Sequence, residues 1–309
     1  LNNRIWVPEM IINPFKSDGQ WYRGNTHSHS TESDGKLSMK ERFGAYRERN
    51  YDFLVLTDHR IVNDVSGFST DDFLAISGSE VHPSNPYGGD TYHIVAINIH
   101  EPINCSVMHP NDVIKDIKNQ GGEAVLCHPY WCGHNLLDYL PLEDYFAIEV
   151  YNDTCMGIGK GFSEQAWDDL LDKAGMVYGI AADDSHGVEH DCFHAWINVK
   201  ASSLTTQGIM DALRSGAFYS TLGPEIYDLD LIDNEEDPAK KGKKIVIKCE
   251  PAESITFKSQ RSRGRHITAM NGKLLTEAEY LIPNSAKYVR VEVTRPDGKK
   301  AWTNPFDLS

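Results

Sequence analysis

No stretch of this 309-residue chain approaches the roughly 20 consecutive apolar residues that a membrane-crossing helix needs, so no membrane span is expected. Cations are scarce: 30 Lys and Arg stand against 45 Asp and Glu, a net charge of −15. A binder of duplex nucleic acid needs a basic footprint, and that balance argues against one. The six cysteines (Cys105, Cys127, Cys132, Cys155, Cys192 and Cys249) contain no C-x-x-C pair, which removes the usual thiolate zinc site. They are too sparse for a disulfide scaffold and read as small buried residues or free thiols. The Gly-rich segment MGIGKGF around Lys160 lacks the spacing of a phosphate-binding P-loop. No internal repeat is visible. The chain starts at Leu1 rather than Met, so the expectation is a soluble protein, cytoplasmic or exported with a leader already removed. Neither compartment nor oligomeric state is legible.

What is present is an ordinary globular composition, 40% apolar and 24% charged, with an α/β rhythm up to about residue 222. Strand-like apolar runs fall at 21–26, 53–57, 74–77, 93–99, 123–127, 146–151, 176–181 and 195–199. Helical patterns occupy 37–50, 111–120, 163–174 and 205–215. Between the first two strands, Ser38 and Glu41 have the spacing of a capping box. Alternating elements of this kind predict a mainly parallel sheet or barrel, here a distorted TIM-like (β/α)7 barrel over residues 1–222. From 223 the pattern becomes short alternating runs, IYDLDLI, KIVIKC, ITFKSQ, YLIP and YVRVEVT, with one possible helical turn near Leu275–Glu279. That predicts a small all-β sandwich over 223–309, with DNEEDPAKKGKK as a long hairpin loop and 1–20 as an irregular lead-in.

Histidines and carboxylates recur at the strand ends. His27, His29 and Asp34 follow the first strand, and His59 follows the second. The third delivers Glu80 with His82 nearby, and His93 opens the next run. His128 ends the fifth strand, and Asp184 with His186 ends the seventh. In a barrel these positions form one ring at the carboxyl ends of the strands, where such folds bind ligands. Imidazole and carboxylate without thiolate suit Zn, Mn, Fe or Ni. A single histidine after a strand is more often structural, but four successive pieces are not an accident of composition. His82 and His93 compete for one role, and His93 is preferred.

The motifs HSHSTESDG, LTDH, GSE, CHP and DDSH resemble those of the PHP (polymerase and histidinol phosphatase) superfamily of metal-dependent phosphoesterases, over about residues 21–222. The tail, GPEIYDLDLI through YVRVEVTRPDGKKAWTNPF, resembles the C-terminal β domain of the CehA/McbA-like branch, named after a carbamate ester hydrolase. The resemblance implies a distorted (β/α)7 barrel with two or three divalent metals (Zn, Mn or Fe). It places His27, His29, Glu80 and Asp184 on one metal and Asp34, His59 and His186 on a second. Glu80 would bridge to a third, completed by His93 and His128. Some three-metal members carry histidine at the Asp34 position, so metal count and identity stay open.

The chemistry expected is hydrolysis of a small phosphate ester by hydroxide held between cations, since such metals bring the pKa of bound water from 15.7 to about 7. Asp58, beside His59, reads either as a second-layer partner orienting an imidazole or as a strand-end cap. Arg60 and Lys160 are candidate anion contacts. Tyr130, Trp131, Tyr151 and Asn152 are candidate pocket walls, and His194 is expected to border the site. Two other functions fit the residues: a carboxylic or carbamate ester hydrolase, and an inert binding module, which the intact ligand set disfavours.

Overall fold

The computed structural model describes residues 12–234 and 242–308. Its first unit is β1 (Gln20–Asn25), α1 (Met39–Arg47) and β2 (Phe53–Leu56), with the two strands parallel. The helix begins on a capping box: the Glu41 carboxylate accepts from Ser38 N at 2.9 Å, and Ser38 Oγ accepts in return from Glu41 N. All four residues of β2 are buried, as an uninterrupted apolar run requires of a strand covered on both faces.

β3 (Leu74–Val81) lies parallel to β2. β4 (Ile94–Ile97) then runs antiparallel to both β3 and β5 (Glu123–Leu126), which α2 (Pro110–Asn119) precedes. Two short helices, α3 (Pro129–Cys132) and α4 (Leu136–Tyr139), lead to β6 (Ala147–Asn152). α5 (Glu164–Lys173) connects β6 to β7 (Tyr178–Ala182), its parallel neighbour. β8 (Trp196–Ala201), α6 (Thr206–Arg214) and β9 (Phe218–Thr221) follow.

The expected distorted TIM-like (β/α)7 barrel is corrected to an open, mixed sheet. β8 runs antiparallel along β1 from Gln20 to Gly24 and takes the edge that β7 would need for closure. β7 therefore meets the β1 side only beyond the strand ends, through a single bridge between Ser28 and Ser185. There His29 N donates to Ser185 O at 2.9 Å, and Asp184 N donates to His27 O at 3.1 Å. Lower down, the Ser220 hydroxyl spans the gap, accepting from Ala181 N and donating to Gly179 O.

The later strands are β10 (Ile226–Asp233), β11 (Lys243–Ala252), β12 (Ser254–Lys258), β13 (Gly264–Thr268), β14 (Leu275–Leu281), β15 (Tyr288–Thr294), β16 (Lys300–Thr303) and β17 (Phe306–Asp307). β16 pairs with β9, so the large sheet crosses the 222–223 junction and continues through β15, β12 and β13. β10, β11 and β14 form a separate sheet. The two share a core that includes Leu229, Ile245, Ile247, Ile255, Phe257, Val289, Val291 and Val293. The possible helical turn near Leu275–Glu279 is strand β14: its helix-forming LTEAE composition yields to pairing with β11, Val246 opposite Glu279. β10 and β11 form the expected hairpin, but residues 235–241 of its loop, like residues 1–11 of the lead-in, lie outside the described residues.

Candidate metal centre

The carboxyl ends of β1, β2, β3, β5 and β7 gather the predicted residues. β4 explains why His93 precedes its strand rather than following it. Because β4 is antiparallel, its amino end meets the carboxyl ends of its neighbours, with Val81 opposite Ile94 and Ile94 opposite Leu126. The ring predicted for a distorted barrel is thus assembled by an open sheet with one reversed strand.

Glu80 is its hub. Oε2 lies 2.9 Å from His59 Nδ1, 3.3 Å from His27 Nε2 and 3.5 Å from His29 Nε2. Oε1 lies 2.6 Å from His93 Nδ1, 3.4 Å from His128 Nε2 and 3.6 Å from His82 Nε2. Asp184 Oδ1 is 3.0 Å from His29 Nε2 and 3.2 Å from His27 Nε2. Asp34, the most exposed of the set with 53% of its side chain accessible, places its two oxygens 3.3 Å from His59 Nε2 and 3.4 Å from His186 Nε2. Three groups, each with ligand atoms within 4.8 Å of one another, emerge: His27, His29, Glu80 and Asp184; His29, Asp34, His59 and His186; and Glu80, His93 and His128. His82 also approaches, with His59 and Glu80 in a fourth group and its ring stacked on His93 at 4.1 Å.

The geometry fits cations. Ligands at 2.0–2.1 Å around a tetrahedral ion stand about 3.4 Å apart, close to most separations here. Several nitrogens also make no hydrogen bond although carboxylate oxygens are near: His27 Nε2, His29 Nδ1, His59 Nδ1 and His82 Nε2. Buried polar atoms are normally paired, and a convergent set that is close but misaligned for hydrogen bonding is what a shared ion would satisfy. The buried carboxylates favour positive charge here, which a proton or an ion can supply. Burial opposes charge on His27, but Asp184, Glu149 and Glu80 outweigh it and hold the imidazole well above its ordinary range. Burial likewise opposes ionisation of Glu80, and His27, His128 and His59 overcome it, leaving the carboxylate well below its usual range. His29, where burial dominates, is shifted down. Cys127 also approaches His27 and Glu149; burial and Glu149 push its thiol up, and Sγ contacts Val125 O.

Two of the ligand-bearing residues have strained backbones: His128 with φ +26° and Asp184 with φ +55°. Left-handed conformations in residues other than glycine cost about 1–3 kcal/mol and cluster at functional sites. Asp184 is held by its bond to His27 O and by Thr154 Oγ1, which donates to Asp184 O at 2.6 Å.

Behind the ring is a layer that sequence reasoning missed. Glu149 Oε1 lies 2.7 Å from His27 Nδ1, and Oε2 accepts from His128 N at 2.9 Å. Its position in the apolar run AIEVY was the available signal, a charge inside a buried strand. Arg42, fully buried, donates to His29 O and Gly187 O and so ties two ligand-bearing loops together. Asp183 accepts from Phe193 N, His194 N, Ala195 N and Tyr46 Oη, and burial raises its carboxyl to about 6.

Among the outer candidates, Asp58 orients no imidazole: it accepts from Ser30 N, Ser30 Oγ, Ser33 Oγ and Asn63 Nδ2, fixing the turn between His29 and Asp34. Tyr151 is no pocket wall, being buried against Phe162 and Trp302 with its hydroxyl on Asp153. Asn152 is buried and donates to Glu149 and Asp184, a positioning role. His194 is exposed and paired with Asp153 at 2.7 Å. Arg60 is exposed, has φ +59°, and makes no ion pair among the described residues. Tyr130 is exposed beneath the Lys160 ammonium, 5.5 Å from the ring centroid.

No protein-family model matches the chain, and no curated protein matches it. Among solved structures, a two-domain protein from Bacteroides vulgatus ATCC 8482, described as containing a predicted PHP-like metal-dependent phosphoesterase, has 17% identity and a TM-score of 0.52. The match covers 97% of this chain and 99% of that one, so the likeness is one of fold through both parts. An amidohydrolase from Chromobacterium violaceum, solved with sulfate and no metal, matches 54% of this chain and 89% of its own length at 18% identity and a TM-score of 0.41.

Proposed function

We propose that this chain is a metal-dependent hydrolase, and specifically a phosphoesterase acting on a small phosphorylated molecule. The observation that carries the reading is Glu80, one buried carboxylate shared by ligand groups on either side of it. The fold it shares with a protein containing a predicted PHP-like metal-dependent phosphoesterase supports the same reading.

His27, His29, Glu80 and Asp184 are the residues to hold one divalent cation, Asp34, His59 and His186 a second, and Glu80 with His93 and His128 a third. Bound there, Zn, Mn or Fe would bring water to a pKa of about 7 and neutralise charge developing on the phosphoryl oxygens. The chain's own contribution is placement. Glu149 fixes His27 and the His128 backbone, Asn152 steadies Asp184, and Asp58 holds the turn that presents Asp34. The centre opens to solvent on the side of Asp34, His59 and His186. Arg60, next to His59 and without an acidic partner among the described residues, supplies positive charge for an anionic substrate there. In this reading residues 1–222 form the hydrolase domain, and 223–309 a β-sandwich beside it.

The test is a hydrolysis panel on metal-loaded protein, wild type beside His59→Ala, with an aryl phosphomonoester, an aryl phosphodiester, a nucleoside monophosphate and an aryl carbamate. Phosphate-ester turnover abolished in the variant supports the reading and identifies the ester class. Turnover of the carbamate alone moves the assignment to a carbamate hydrolase. Silence across the panel despite bound metal rejects a general phosphatase.

A further inference from the structure

We propose that Trp131 forms a recognition subsite for a flat aromatic group on the substrate, next to the Glu80–His93–His128 group. The inference rests on the hydrolase reading and names the substrate class: an ester whose leaving or flanking group carries an aromatic ring.

The sequence places this subsite by chain continuity. His128 leaves β5 with φ +26°, and Pro129 starts α3 at once, so Tyr130 and Trp131 come within three residues of a metal-ligand candidate. The turn is pinned by Tyr130 N, which donates to Ser163 Oγ at 3.2 Å. The indole packs roughly perpendicular to two imidazoles, 5.5 Å from His93 and 5.1 Å from His128 between centroids. His82 stacks on His93 as well. Even so, Trp131 remains 43% exposed and Tyr130 52% exposed. In the barrel-like part most large aromatics are buried, among them Trp167, Tyr46, Tyr51, Tyr145 and Tyr178. Trp131 departs from that pattern at the place where it borders two candidate metal ligands.

A ring entering between Trp131 and the solvent would add an aromatic pair of the edge or offset-stacked kind, worth roughly a factor of ten in affinity. A purely structural Trp131 would shield His93 and His128 equally for every substrate and create no preference.

The experiment compares benzyl with ethyl compounds, because the two alcohols are leaving groups of similar basicity and only one carries a ring. Binding of benzylphosphonate and ethylphosphonate to metal-loaded protein is measured by calorimetry. Hydrolysis of benzyl and ethyl phosphate is followed separately, in wild type, Trp131→Ala and Trp131→Phe. Wild type is expected to bind the benzyl compound about tenfold more tightly than the ethyl one. Trp131→Ala should erase that ratio, and Trp131→Phe should keep most of it. The benzyl-to-ethyl ratio of kcat/KM should fall in parallel. Equal binding of the two phosphonates by wild type overturns the subsite, as does equal weakening of both in Trp131→Ala. A benzyl preference in binding with no phosphate ester hydrolysed leaves the subsite standing and rejects the phosphoesterase reading instead.

Discussion

Glu149 reaches two histidines of the candidate centre at once: Oε1 is 2.7 Å from Nδ1 of His27, and Oε2 accepts from the backbone N–H of His128 at 2.9 Å. A carboxylate can only accept at this position, so Nδ1 of His27 carries the proton and Nε2 is the nitrogen presented to Glu80 and Asp184. One buried side chain on β6 therefore sets the tautomer of a residue after β1 and the backbone of a residue after β5.

Glu149→Gln should weaken metal binding by about 10–100-fold, the usual effect of removing a carboxylate that orients a ligand imidazole. Chelator competition reads the affinity, and far-ultraviolet circular dichroism checks the fold. Unchanged affinity in a folded variant would show that Glu149 is only a core carboxylate.

Asp58→Ala removes the acceptor for Ser30 N at 2.7 Å and for Ser33 Oγ at 2.6 Å. A buried donor left unpaired costs about 1–3 kcal/mol, and the freed turn is the one presenting Asp34. The expected outcome is a lower Tm together with loss of bound metal from the Asp34–His59–His186 group first. Full metal content by elemental analysis at a lowered Tm would confine Asp58 to stability.

The site was more legible than the frame around it. Ligand-type residues stand at strand ends in sequence, and an element's end is easy to locate once its apolar run is seen. His27, His59, Glu80, His128 and Asp184 needed only that, and the structure brings them together. Closure was not legible, because it depends on which strand takes the free edge of β1, and β8 does so from far along the chain. The reversal of β4 was hidden for a similar reason: a short apolar run reads alike in both directions. Asp58 and Tyr151 show a third limit. Adjacency in sequence placed them near the centre, but pairing and packing turn their side chains to Ser30 and Trp302.

Stripping metal should destabilise the protein, because an ion that binds only the folded chain adds about 2.7 kcal/mol when present at 100 times its Kd. Dialysis against a chelator is expected to lower Tm by several degrees, and restoring zinc or manganese should recover it. A Tm indifferent to both would argue against any resident ion at Glu80.

Arg60→Ala tests the anion contact separately from the ligands. Its backbone N donates to Glu80 O at 2.9 Å and is retained in the variant, so the turn should survive. KM for a phosphate ester is expected to rise several-fold, with the wild-type advantage shrinking as ionic strength increases, since an exposed charge is screened. An equal KM at low salt would remove Arg60 from the substrate's path.

Far from the centre, acid stability should depend on Glu292. It is buried and accepts from Arg290 Nη1 at 2.7 Å, with the Lys258 ammonium at 2.9 Å. Arg290, fully buried, also reaches across to Asp168 on α5 and lies over the Trp167 ring at 4.1 Å, so the cluster joins β15 to the barrel-like part. Burial pushes the Glu292 carboxyl up, and Arg290 and Lys258 more than reverse this, leaving it below its ordinary 4.5. A group with a depressed folded pKa contributes stability above its unfolded value and loses it as pH falls through the folded one. The contribution should therefore be complete at pH 7 and fade only below about 4.5. Glu292→Gln should cost about 3 kcal/mol at pH 7 by leaving buried cations underpaired. In urea melts the gap between wild type and variant should narrow steadily under pH 4.5. A gap that holds constant to pH 3 would mean that shape, not charge, is what Glu292 contributes.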